Sequence, residues 1–285
     1  MGNNIIIIGG KGQLGQCLEE KVNGAAQEFN FIFLGSDDLN IRESAAIERI
    51  FEEYQPSYCI NCAAYTAVDN AEEDSDNAFE INEFAVKKLA ESSLKYNTTL
   101  IHVSTDFVFD GSSSIPLTET LATSPVNVYG LSKLKGEQQI EAILQKYYII
   151  RTSWLYSEKA NNFVKTMLKL AQSRSELTVI YDQVGTPTYA MDLAELILKI
   201  VQDDPLKYGL YHYSNEGVAS WYDFAKAVFE ISGTAIKVLP VPSSAFVTKA
   251  KRPHYSVMDK TKIKAAFGIE IPYWRESLNA CLQKL

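Results

Sequence analysis

"IIIIGGKGQLGQCLEEKV", residues 5–22, sets four isoleucines against a cluster of glycines and then an amphipathic stretch. A short apolar run that stops at glycine reads as a strand buried on both faces, and the segment behind it as a helix from about Gln13. Gly9, Gly12 and Gly15 fall at three-residue intervals between the two. Glycine there permits a tight turn and lets a pyrophosphate approach backbone N–H groups at the positive helix end. A plain glycine-rich turn has the same composition. Its place at the first strand-to-helix turn of a repeating pattern is what favours a dinucleotide.

The pattern does repeat. "FIFLG" (31–35) precedes "RESAAIERIFEEY" (42–54), and "YCINCAAY" (58–65) precedes "NAFEINEFAVKKLAESSLKY" (77–96). "TLIHVST" (99–105) leads through a long loop to a helix near Tyr129, and "YYIIRTSWLY" (147–156) reads as a further strand. Continuous apolar strands separated by amphipathic helices predict an α/β protein, a Rossmann-type doubly wound parallel sheet with ligands at the C-terminal strand ends. After residue 156 the rhythm loosens and the Pro-bearing loops "GTPT", "LPVPSS" and "KRPHYS" collect. The expected organisation is an NAD(P)-binding Rossmann domain over 1–156. Residues 157–285 form mainly a smaller C-terminal substrate-binding lobe, with about 177–201 returning to the first domain.

Bulk properties narrow the function. With 27 Lys plus Arg against 35 Asp plus Glu, the net charge of −8 argues against a nucleic-acid surface. No apolar run reaches spanning length and no leader pattern is present, so the expectation is a cytoplasmic protein without a membrane partner. Cys59 and Cys62 have a C-x-x-C spacing, but on a strand those positions face opposite ways and no second Cys/His pair completes a metal site. The four cysteines read as small core hydrophobes in a reducing compartment.

"NVYGLSKLKGE" (127–137) puts Tyr129 and Lys133 one helical turn apart, and "WYDFAK" does the same for Tyr222 and Lys226. About one or two such pairs arise by chance in a chain of this composition. Position separates them. Tyr129 opens the helix after the fourth strand, at the edge where "NCAAYTAVDNAE" and "VSTDFVFDG" also end, so Ala64, Tyr65, Thr66, Thr105 and Asp106 converge with it. Tyr222 lies in what reads as an amphipathic surface helix. The chemistry is then ketone reduction: Tyr129 exchanges the proton, an ammonium at Lys133 lowers its pKa, and Thr105 polarises the carbonyl. After the second strand Gly35 and Ser36 come before any acid, so NADPH should be accepted, along with NADH.

The GxxGxxG spacing points to short-chain dehydrogenase/reductases, whose extended subgroup the chain resembles along its whole length. "GQLG", "NCAAYTAVDNAE", "STDFVFDG", "SPVNVYGLSKLKGE", "RTSWLY", "NNFVKTML", "DQVGTPT" and "RPHYSVMD" run in order from Gly12 to Asp259. Together they resemble the dTDP-4-dehydrorhamnose reductases. That resemblance implies a dTDP-linked 4-keto-6-deoxy sugar as substrate, with hydride delivered to C4. It implies Tyr129 as proton donor with Lys133 and Thr105, and Asp106 and Trp154 as sugar contacts. Gly12, Gln13, Leu14, Asp38, Leu39, Ala63, Ala64, Tyr65, Thr66 and Val103 would line the cofactor. Trp154 suits an apolar wall for a deoxy sugar, although a core indole at a strand end reads the same way. Arg252 would pair with the diphosphate.

Neighbouring chemistries are weighed on the same residues. Related 4,6-dehydratases carry Asp then Glu after the Thr; here Phe107 follows Asp106 and cannot act as acid or base. Epimerases are disfavoured by the motif set alone. A non-catalytic NADP-binding module, like the regulatory subunit of methionine adenosyltransferase, stays open as a second reading; the intact set of Thr105, Tyr129, Lys133 and Trp154 in this chain weighs against it. A reductase of another nucleotide-linked 4-keto-6-deoxysugar stays open. Some relatives form a magnesium-bridged dimer; Cys17 and Met191 stand at the matching positions and suit no hard cation, so no metal is expected and a homodimer is left open.

Overall fold

The computed structural model describes residues 3–24 and 28–285. Strand β1 (Asn4–Ile8) is followed by helix α1 (Gln13–Asn23), β2 (Asn30–Leu34), α2 (Ser44–Tyr54) and β3 (Tyr58–Asn61). Then come helix α3 (Ala85–Lys95), β4 (Thr99–Thr105), α4 (Val128–Ile143) and β5 (Tyr147–Thr152). The second half supplies α5 (Phe163–Ala171), β6 (Glu176–Ile180), α6 (Ala190–Asp203), β7 (Gly209–His212), α7 (Trp221–Ile231) and β8 (Lys237–Val241). Helix α8 (Trp274–Leu282) closes the chain.

Six strands form one sheet in the order β7-β5-β4-β3-β1-β2, every pair parallel. The four isoleucines of β1 show why. Ile5 and Ile7 enter one core, shared with α1 and α6, whereas Ile6 and Ile8 enter the other, shared with α2 and α3. A strand buried on both faces has no room for alternation, and the apolar run reflects that. Cys59 and Cys62 likewise face opposite cores, and all four cysteines are free thiols. The direction of winding reverses between β1 and β3, which opens a crevice beyond their C-terminal ends.

Three sequence expectations shift. The return to the sheet is not confined to residues 177–201. Residues 176–180 pair instead with β8 in a separate two-stranded sheet, while α6 packs on α1 and β7 adds the edge beside β5. "YYIIRTSWLY" is broken: β5 ends at Thr152, and Trp154 takes a left-handed backbone with φ of 49°. The stretch before α3 contains a π turn at Glu80–Phe84. It carries Asn82, whose buried amide accepts from Tyr65 N–H (2.9 Å) and donates to Tyr65 O (3.1 Å) and to Ser132 Oγ on α4 (3.0 Å). An extra residue in a helical turn re-aims a side chain, and here it pins the loop after β3.

Among the described residues, no helix is long and apolar enough to cross a membrane.

Candidate active site

The first βα turn is built by close approach. Gly9 has φ of +79°, and a Cβ there would stand 2.8 Å from Ala63 N; one on Gly15 would stand 2.5 Å from the carbonyls of Gly9 and Gly10. Both contacts exclude a side chain, so the strand, turn and helix can close together only with glycine. Gly12 caps α1 without any side-chain hydrogen bond, which leaves first-turn N–H groups directed at the crevice. A cavity of about 570 Å³ lies there, bounded by Gly9, Gly12, Leu39, Ala63 and Ala64 among the expected residues. Lys11, Ser36 and Arg42 also line it and were not foreseen. The Cβ-less cradle and free helix end fit a dinucleotide pyrophosphate, and Ser36 and Arg42 fit a phosphate on the ribose, with Lys11 beside them held by Asp37 at 2.9 Å.

Other expected cofactor residues take different parts. Asp38 turns its carboxylate back to accept from Gly35 N at 2.8 Å. Leu14 is a core residue, so only its backbone faces the turn. Gln13 Nε2 donates to Leu155 O (3.1 Å), and its Oε1 accepts from Asn162 (2.8 Å), tying the turn to the segment entering the second half. Tyr65 is held by Asn82 through its backbone and donates from its hydroxyl to Asp74 (3.1 Å), while Thr66 is exposed.

Thr105, Asp106, Tyr129, Lys133 and the carbonyl of Val103 do come together, at the end of β4 and the start of α4. Asn127 caps α4, accepting from Gly130 N at 2.7 Å, which fixes where Tyr129 begins the helix. Thr105 Oγ1 donates to Asp106 Oδ1 (3.1 Å) and accepts from Phe107 N (3.2 Å), and its side chain faces the Tyr129 phenol. Phe107 packs edge-on against the Tyr129 ring. Lys133 is 2 % exposed, and its Nζ donates to Val103 O at 2.7 Å.

The electrostatics correct one expectation. Burial pushes the Tyr129 phenol up to about 12, helped by the nearby Asp106 carboxylate and opposed by Thr105. Burial also pushes Lys133 down to about 8, with Glu137 and Cys62 opposing. The ammonium therefore does not depress the phenol, because Nζ points at the Val103 carbonyl and its own charge is disfavoured. Asp106 is raised to about 6, chiefly by burial.

Trp154 and Arg252 stand farther out. Trp154 stacks on Trp221 with ring centroids 3.6 Å apart and planes 7° off parallel, so one indole face is already covered. Arg252 lines a second cavity, of about 800 Å³, with Phe163, Trp221, Gln183, Lys251 and His254. Its guanidinium is committed to Asp69 in a bidentate pair of 3.1 and 2.6 Å. Tyr222 and Lys226 lie on α7, remote in sequence from the β4 edge, with Lys226 exposed. Sequence reading missed Trp221, whose segment looked like a surface helix, and Asp69, which carries no signal apart from its partner.

Cys17 and Met191 are both core residues. Glu20, close by on α1, is bound by Lys159 (2.6 Å) and Lys284 (2.8 Å), and Asp192 accepts from Asn215 (2.6 Å) and Ser277 (2.5 Å). Among the described residues no three His, Cys, Asp or Glu gather as a metal site would require.

Comparison with known proteins gives this arrangement a family. The family model described as RmlD substrate binding domain matches residues 3–285. A dTDP-4-dehydrorhamnose reductase from Aggregatibacter actinomycetemcomitans is 40% identical over 287 residues, covering 96% of each chain. Among solved structures, a dTDP-4-dehydrorhamnose reductase from Clostridium acetobutylicum is 40% identical with a TM-score of 0.95, covering 99% of both chains. One from Bacillus anthracis, in complex with NADP, is 37% identical with a TM-score of 0.95 and covers both chains completely. The chain belongs to the dTDP-4-dehydrorhamnose reductase family.

Proposed function

We infer that this chain reduces the C4 ketone of dTDP-4-dehydro-L-rhamnose to dTDP-L-rhamnose with NADPH. The observation that carries the reading is the convergence of Thr105, Tyr129 and Lys133 on one buried edge beside the glycine turn. Gly9, Gly12 and Gly15 with the first turn of α1 would hold the pyrophosphate, and Ser36 and Arg42 the ribose phosphate. The bound nicotinamide supplies the hydride.

The chain's own residues manage the proton. As the carbonyl carbon gains hydride, its oxygen becomes an alkoxide, a far stronger base than phenolate. A phenol near 12 stays protonated at neutral pH and still gives up its proton to that oxygen. The raised value thus suits donation in the reducing direction. Thr105 stands beside the Tyr129 phenol and favours its charged form, opposing burial. Lys133, able to take up charge near pH 8, stabilises the phenolate left behind.

The sugar nucleotide fits the 800 Å³ cavity: Phe163 and Trp221 offer aromatic surface to a base, Lys251 offers positive charge to a diphosphate, and Arg252, paired with Asp69, lies on the same rim. Trp154, continuing the Trp221 stack, offers an apolar wall toward the 6-methyl group.

The test supplies the purified protein with NADPH, dTDP-glucose and the upstream dehydratase and epimerase, and follows nicotinamide absorbance and the sugar product. Epimerase-dependent oxidation yielding dTDP-L-rhamnose is expected, and Tyr129→Phe should bind NADPH normally yet lose at least ~100-fold in turnover. NADPH binding without oxidation would sink the assignment and leave another keto sugar or a binding module.

A further inference from the structure

His102 lies within β4 with no solvent exposure, and both of its ring nitrogens are engaged. Nδ1 is 3.0 Å from Asn61 Nδ2 on β3, and Nε2 is 3.2 Å from Lys133 Nζ on α4. The surrounding donors fix the tautomer. Asn61 Oδ1 accepts from Ala63 N at 3.1 Å, which turns the amide NH2 toward His102. Nδ1 must then accept, and the neutral ring carries its proton on Nε2, facing Lys133. Against an ammonium, two donors would meet head to head. A neutral amine accepts from Nε2 and still donates one N–H to Val103 O at 2.7 Å.

We propose that Asn61 and His102 form a positioning relay that aims the Lys133 amine and sets the pH at which it gains charge. Nothing in the reduction chemistry alone calls for a histidine there. The relay rests on the reading of Tyr129 and Lys133 as the reacting pair and deepens it.

The charges around Lys133 are few and placed. β3 contributes the neutral Asn61 and the loop after it Cys62; β4 contributes His102 and the Val103 carbonyl; α4 itself contributes Tyr129 and Glu137. Glu137 is neutralised by a buried pair with Arg151 of β5 at 2.6 Å, and Asp106 acts on Tyr129. Burial keeps the imidazole well below its ordinary value, with Lys133 adding to the effect, so His102 stays neutral across the working range. The only nitrogen left to interact with Lys133 is the donor.

Two measurements test it. The chain has 3 His, so 15N spectra of histidine-labelled enzyme can resolve the His102 ring. A protonated Nε2 with a bare Nδ1 is expected, and the opposite tautomer overturns the relay, whatever any variant does. The second is the pH profile of kcat for Asn61→Asp. An acceptor-only carboxylate draws the proton to Nδ1 and turns Nε2 into an acceptor for the ammonium. The limb belonging to Lys133 should move up by about one pH unit. A wild-type profile in a folded Asn61→Asp enzyme overturns the proposal. Because a new carboxylate raises Lys133 by charge alone, a shift supports the relay only with a 15N spectrum of the variant showing the His102 proton moved to Nδ1, and an unmoved proton overturns it. Tyr129→Phe separates the two ideas. If that variant still turns over, the Tyr129 assignment fails, while the tautomer is still decided by the spectrum.

Discussion

Asp106 is 2 % exposed, and while its Oδ1 takes the Thr105 hydroxyl, its Oδ2 has no hydrogen-bond partner. Ser256 also faces the carboxylate, yet burial outweighs these contacts and the group is raised to about 6. A raised carboxyl contributes stability below its unfolded value and loses it as pH rises through the folded one. Ionised Asp106 therefore burdens the native state at neutral pH, by on the order of 3 kcal/mol. Asp106→Asn should raise the Tm at pH 8, with the gain shrinking toward pH 4; thermal melts at both pH values check this. Turnover should fall in the same variant, because the carboxylate fixes Thr105. The sequence placed Gly9 at the close turn after β1 and brought Thr105, Tyr129 and Lys133 to one edge, and the structure puts them there; their roles rest on the proposed chemistry. Single residues were illegible where a role depends on a partner far along the chain. Asp69, Asn82 and His102 are ordinary polar residues until folding supplies Arg252, Tyr65 and Lys133.

Helix α4 presents Tyr129, Lys133 and Glu137 at successive turns, so one face carries the proposed proton donor, its proposed amine partner and a buried carboxylate paired with Arg151. Glu137 accepts from Ser104, next to Thr105, and pairs with Arg151, with both side chains under 5 % exposed. Breaking such a pair strands a buried charge, typically at a cost of about 3–5 kcal/mol. Glu137→Gln should lower stability by that order in denaturant unfolding, and should reduce kcat through the Ser104–Thr105 backbone. The same helix rides closely on the π turn: a Cβ at Gly136 would stand 2.1 Å from Asn82 O. Gly136→Ala should cost about 1–3 kcal/mol despite its better helix propensity, a sign that equilibrium unfolding settles directly. At this scale the strands of the sheet's centre were legible because burial on both faces demands apolar runs. The breaks were not. Asn82's inserted turn and Trp154's left-handed backbone answer to contacts with other elements, which no local pattern encodes.

Across the whole molecule, the loop that ends at Arg252 is fastened to the segment after β3. Besides the Asp69 pair, Lys249 reaches Glu73 (2.6 Å), Ala250 N donates to Asp69 (3.0 Å) and Asn127 donates to Lys251 O (2.7 Å). Partly exposed pairs of this kind stabilise by about 1 kcal/mol or less. Their effect is on placement, since they hold the basic rim of the larger cavity over the β4 edge. Asp69→Asn should leave the Tm nearly unchanged and raise KM for the sugar nucleotide several-fold with little change in kcat, as steady-state kinetics would show. The changed rhythm past residue 156 was legible: after β5 only β7 adds to the main sheet. The edge strand "GLYH" was not, because a four-residue strand that opens on glycine and carries no apolar run resembles a loop. The stacked indoles of Trp154 and Trp221 join the two parts: one follows β5 of the main sheet, the other starts α7 of the second half. Two parallel chromophores 3.6 Å apart share their excited state, so their circular dichroism depends on the overlap between them. The enzyme thus carries an intrinsic optical gauge of how its two halves are seated, readable without any label as nucleotide or sugar is added.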